Sequence, residues 1–73
     1  MFPNLKAEIA RKSLKEKDIA KKIGLSAKTF SNKMRGHSDF TLREMLAIKK
    51  YFFPDFSLEY LFATDDEKER KMA

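Results

Sequence analysis

The sequence predicts an all-α fold of five helices, and three observations lead there. No stretch alternates polar and apolar residues with the period of two that a half-buried strand imposes. Apolar residues recur instead at spacings of three and four, as in helices with one buried face. Chain breakers are scarce, with prolines only at Pro3 and Pro54 and glycines only at Gly24 and Gly36, so these four residues act as punctuation between long uninterrupted stretches.

Each element has its own local signal. Pro3 and Asn4 open the first helix, with Asn4 expected as its N-cap, and Leu5, Ile9 and Lys12–Ser13 give it two to three turns. The second helix is expected over 16–23, where Ile19, Ala20 and Ile23 fall on one side. Gly24 ends it, because glycine takes the left-handed conformation that closes a helix. Only Leu25 separates Gly24 from Ser26, the expected cap of a third helix over 27–35, which Gly36 closes. Thr41 and Glu44 have capping-box spacing for a fourth helix, and Phe40 and Met45 sit where a hydrophobic staple would. Leu42, Met45, Leu46, Ile48 and Phe52 give that helix a wide apolar face, and Pro54 forbids its continuation. A short fifth helix over 57–62 supplies Leu58, Leu61 and Phe62. Residues 1–63 are therefore read as one domain, and 64–73, with seven charged residues of ten, as a disordered tail.

Size and composition limit what such a domain does. A chain of 73 residues holds one domain, and a domain that small buries only about 60% of its unfolded surface, leaving no room for a deep, walled active site. Cysteine is absent, which excludes disulfides and thiolate zinc sites. With one histidine, no glycine-rich loop and no convergent carboxylate pair, an enzyme is not expected, nor a cofactor, metal or small-molecule substrate. Nothing approaches the about 20 apolar residues of a membrane span, and the first residues lack a signal-peptide apolar run, so a cytoplasmic protein without a membrane partner is expected. The net charge of +5 is unevenly spread: residues 1–36 carry ten lysines and arginines against three acids, residues 37–73 six against eight. A basic half suits a polyanion, or else it is an ordinary lysine-rich solvated surface.

The third helix carries the chemistry. Phe30 and Met34, at i and i+4, point one way and are expected to anchor it to a core of Ile9, Ile19, Ile23, Leu42, Met45 and Leu46. A helical wheel then places Lys28 and Asn32 opposite, with Ser31 and Arg35 on one flank and Thr29 on the other. That side offers donors and short polar groups and no acid. The DNA major groove admits an α-helix; asparagine pairs there with adenine, and lysine donates to guanine.

The stretch Glu16 to Gly36 resembles the helix-turn-helix of the phage repressor and Cro family, also called XRE-type. Ala20 stands at the family's mid-helix alanine, Gly24 at its turn glycine, Phe30 at the apolar position of its recognition helix and Gly36 at the closing glycine. The capped helix beginning Thr41–Leu42 and the closing segment Phe56–Phe62 also fit, so the resemblance spans about residues 4–62. It implies a compact five-helix, lambda-repressor-like domain that binds a double-stranded DNA operator, a transcription regulator of phage or prophage type. It implies base contacts from Ala27, Lys28, Ser31 and Asn32, and phosphate contacts from Lys17, Ser26, Thr29, Lys33, Arg35 and His37. Ala27 either meets a thymine methyl or packs inward, and His37 is either a phosphate contact or a plain loop residue. One position departs from the pattern: many members carry glutamine where this chain has Glu16, and a carboxylate repels phosphate, leaving that anchor to Lys15 and Lys17. Family members dimerise on DNA, so a homodimer is expected; Phe53, Phe56, Tyr60 and Phe62 either form its surface or close the open end of the core. The rival expectation is a helix-turn-helix used as a protein-interaction module, as in an antitoxin or antirepressor.

Overall fold

The computed structural model describes residues 1–64, and the expected tail falls almost wholly outside them. Five helices follow in order, α1 (Pro3–Arg11), α2 (Glu16–Ile23), α3 (Ala27–Met34), α4 (Leu42–Phe52) and α5 (Leu58–Leu61), and the described residues contain no strand. The fold is all-α and compact, with a Cα radius of gyration of 11.9 Å. Helix α2 packs on both α3 and α4, while α5 bridges α1 and α4.

Helix α1 begins two residues earlier than expected, at Pro3 where Asn4 was the expected cap. Pro3 occupies its first turn, where a preset φ and a missing N–H cost nothing. Phe2 is then the N-cap and provides no side-chain hydrogen bond. Asn4 lies inside the helix and is not its cap. Its Nδ2 donates to the Tyr60 carbonyl at 2.8 Å, tying α1 to α5.

Helices α1, α2 and α3 end in the same way. An N–H beyond the helix reaches back to a carbonyl five residues earlier: Leu14 to Ile9 at 3.0 Å, Leu25 to Ala20 at 2.8 Å, His37 to Asn32 at 2.9 Å. The residue before each donor is left-handed, with φ of 56° at Ser13, 84° at Gly24 and 87° at Gly36. Such a closure satisfies carbonyls that a helix end would leave orphaned. The two glycine stops were expected; the one at Ser13 has no glycine to announce it.

Helix α4 carries the full capping box. The Thr41 hydroxyl accepts from the Glu44 N–H at 3.1 Å, and the Thr41 N–H donates to Glu44 Oε1 at 2.9 Å. Helix α5 is a single turn, Leu58–Leu61, shorter than the expected 57–62 because Ser57 is its N-cap and Phe62 its C-cap.

The core consists of Leu5, Ile9, Ile19, Ala20, Phe30, Met34, Phe40, Ile48, Phe53 and Leu61. Phe40 touches three rings, with centroids 5.5 Å from Phe2, 5.7 Å from Phe30 and 5.4 Å from Phe62. This cluster joins the start of α1, the middle of α3 and the end of α5. Each such edge-on pair adds about 0.5–1.5 kcal/mol beyond its buried area. Two expected core residues lie elsewhere: Leu42 and Leu46 are 62% and 47% exposed. The buried line of α4 runs through Ile48, and at 3.6 residues per turn Leu42 and Leu46 sit about 120° and 160° from it. The apolar face read from sequence is wider than the contact made.

The four C-terminal aromatics mostly close the core. Phe53 is fully buried and Phe62 sits half-buried in the ring cluster, which leaves the stacked pair Phe56 and Tyr60 nearest the surface. Tyr60 also has an inward task. Its hydroxyl donates to Oε2 of Glu8 at 2.7 Å, and Arg11 Nη1 lies 3.2 Å from the same oxygen. Glu8 is 1% exposed, so these donors compensate a carboxylate taken out of water. Donating that bond to Glu8 keeps the Tyr60 hydroxyl protonated above the ordinary phenol range.

Candidate nucleic-acid interface

The geometry of α3 is set at both ends and along one side. At its start Ser26 Oγ accepts from the Thr29 N–H at 3.1 Å and donates to Thr29 Oγ1 at 2.9 Å. At its end Arg35 is the C-cap, so the helix proper stops at Met34, one residue short of expectation. Along its inner side Phe30 is fully buried and Met34 nearly so. The turn Gly24–Leu25–Ser26 joins it to α2, and Ala20, fully buried on α2, lets neighbouring backbone approach where a larger side chain would hold it off.

With that side fixed, the expected contact residues fall as follows. Ala27 and Lys28 are exposed, which removes the inward alternative for Ala27. Ser31 and Asn32 are half-buried, and Thr29 is half-buried with its hydroxyl turned to Ser26. Arg35 and His37 are exposed on either side of Gly36, and Lys17 is exposed on α2. No carboxylate occurs on α3.

Lys33 differs from its expected part. Its Nζ lies 2.6 Å from Glu44 Oε1, with only 12% of the side chain exposed, so it links α3 to the capping box of α4 and does not reach outward to a phosphate. Burial pushes the Glu44 carboxyl up, yet hydrogen bonds from Lys33 and the Thr41 N–H outweigh it, and the group titrates below the ordinary value of 4.5. The resemblance implied a phosphate contact for Lys33; a partner 11 residues on turns it inward instead.

The structure adds two residues to this surface. An open notch of about 420 Å³ lies where the start of α1, the start of α2 and the end of α3 converge. Lys6 and Glu16 line it together with Ser31 and Arg35, over a floor that includes Phe2 and Met34. Glu16 was singled out in the sequence, but Lys6 was not. Nothing local marks Lys6, because its place beside α3 depends on how α1 crosses the helix pair.

The chain matches no protein-family model, no characterised protein and no solved structure. The surface therefore has to be judged on its own chemistry: one helix seated by two apolar side chains, with alanine, lysine, serine and asparagine directed away from the core and arginine at its end.

Proposed function

We propose that the protein binds double-stranded DNA in a sequence-specific manner and acts as a transcription regulator, with α3 as the reading helix of a lambda-repressor-like domain. One observation carries the reading. The outer side of α3 bears Ala27, Lys28, Ser31 and Asn32 without a single acid, while Phe30 and Met34 hold the inner side. A helix of that form fits a major groove, where Asn32 pairs with adenine, Lys28 donates to guanine, and Ala27 accepts a thymine methyl. Lys17 and Arg35 grip the phosphates, with Ser26, Thr29 and His37 at the margin of the same surface.

A single module of this size covers about 600–1,000 Å² on DNA, too little for tight specific binding, so the protein acts as a homodimer on a two-fold operator. Selection of bound duplexes from a random pool at two salt concentrations tests all of this together. The expected result is one enriched, two-fold symmetric motif, with affinity falling steeply as salt rises because bound phosphates release counterions. Recovery of no motif, with binding indifferent to salt, would overturn the proposal.

A further inference from the structure

The outward face of α4 carries a second surface, separate from α3. Leu42 and Leu46, one turn apart, are 62% and 47% exposed and form a continuous apolar strip. Arg43 and Lys50 stand beside them on the same face, both exposed, and neither joins an ion pair among the described residues. Further round, the half-exposed ring of Tyr51 has Lys22 Nζ at 4.9 Å and Lys50 Nζ at 5.6 Å from its centroid. The only acid of the helix, Glu44, is bound to Lys33 about 160° around the axis from both leucines.

We infer that this face docks an acidic amphipathic helix of another protein, which sets apolar side chains on Leu42 and Leu46 and carboxylates against Arg43 and Lys50. Charge complementarity chooses the occupant. A second copy of the chain, docked face to face, would bring Arg43 and Lys50 against their own counterparts, and like charges at an interface repel. DNA phosphates would match the cations but gain nothing from two leucines. A helix with leucines on one side and glutamates along its edges satisfies both, in the manner of helix-in-groove recognition. Because the Lys33–Glu44 link lies on the opposite side of α4, docking here leaves the outer side of α3 free. The strip is small, so the complex is of the weak, transient kind.

The test uses the full chain, labelled with nitrogen-15 and titrated with two synthetic helix-forming peptides. Both carry leucine at i, i+3 and i+7; one has glutamate on its flanks, the other lysine. The glutamate peptide is expected to shift the amides of Leu42, Arg43, Leu46 and Lys50, with the lysine peptide at least about tenfold weaker. The double variant Arg43→Glu with Lys50→Glu is expected to reverse that preference. Leu42→Ser with Leu46→Ser is expected to abolish binding while the chain still folds cooperatively, since neither side chain belongs to the buried core. Equal affinity for the two peptides, shifts centred on other helices, or concentration-dependent doubling of the chain's mass through these same residues would overturn the inference.

Discussion

Asn32 is the side chain on which sequence readout turns in the proposed function, since its amide matches the paired donor and acceptor of an adenine edge. Asn32→Ala is expected to weaken specific binding by about 1–3 kcal/mol, while non-specific binding stays unchanged. A titration on the selected operator beside a scrambled duplex measures both; equal losses on the two would assign Asn32 to the phosphates. Glu16 acts in the opposite direction. It shares the notch with Lys6 and Arg35 and brings a negative charge to a surface proposed to meet phosphate. Glu16→Gln is expected to tighten duplex binding up to about fivefold, the size of an exposed charge interaction of ~1 kcal/mol. Filter binding at low salt reads this directly, and a weaker complex would count against phosphate near Glu16. Both residues stand out in the sequence. Lys6 and the buried Glu8 do not, because one is recruited by a helix crossing and the other by a tyrosine 52 positions away.

At the level of elements, helix ends were more legible than helix faces. Gly24, Gly36, Ser26 and the Thr41–Glu44 pair each mark a boundary through local backbone chemistry, and each lies where that chemistry places it. The face of α4 was misjudged at Leu42 and Leu46 because a stripe of apolar residues does not say how wide its partner is. The end of α1, expected at Lys12–Ser13, falls at Arg11, because Ser13 fills the left-handed closing position that glycine normally marks. It is left-handed at φ 56°, which costs an L-residue about 1 kcal/mol. Ser13→Gly is therefore expected to raise stability slightly, by at most about 0.6 kcal/mol after the greater freedom of glycine in the unfolded chain is counted. Denaturant titration would show the midpoint moving up; a fall would mean the serine side chain contributes more than its strain costs. The start of α4 gives a pH signature. Glu44 titrates below its ordinary 4.5 in the folded chain. Its contribution is thus complete above that value and disappears as pH falls through the lowered one. Melts of Glu44→Gln and the native protein are expected to differ at pH 7 and to converge as the pH falls below the lowered value of Glu44. A constant gap across that range would exclude the Lys33–Glu44 pair as the cause.

At the scale of the whole molecule, the all-α class and the order of five helices follow from spacing and punctuation, whereas the way they close on one another does not. The ring cluster around Phe40 illustrates the difference. Phe2, Phe30, Phe40 and Phe62 are spread over 61 positions, and no local pattern pairs them. Phe30→Ala is expected to cost about 3–5 kcal/mol. A domain of this size has only about 5 kcal/mol or somewhat more in total, so the variant should lie near its unfolding midpoint at room temperature. Circular dichroism on heating checks this, and a melt close to that of the native chain would contradict the seating of α3.

The clasp between α1 and α5 has a bearing on how the protein comes into being. Asn4 and Glu8 each take a partner from Tyr60, its carbonyl for one and its hydroxyl for the other, and Arg11 is the only other side-chain donor to Glu8 among the described residues. During synthesis the first helix emerges with a carboxylate destined for the interior and only the exposed Arg11 of its own helix to receive it. Helix α3 can be made and capped at once, but the scaffold behind it latches only after Tyr60 has followed it out of the ribosome. A chain cut short before Tyr60 would therefore keep the outer residues of α3 and lose the frame that holds them.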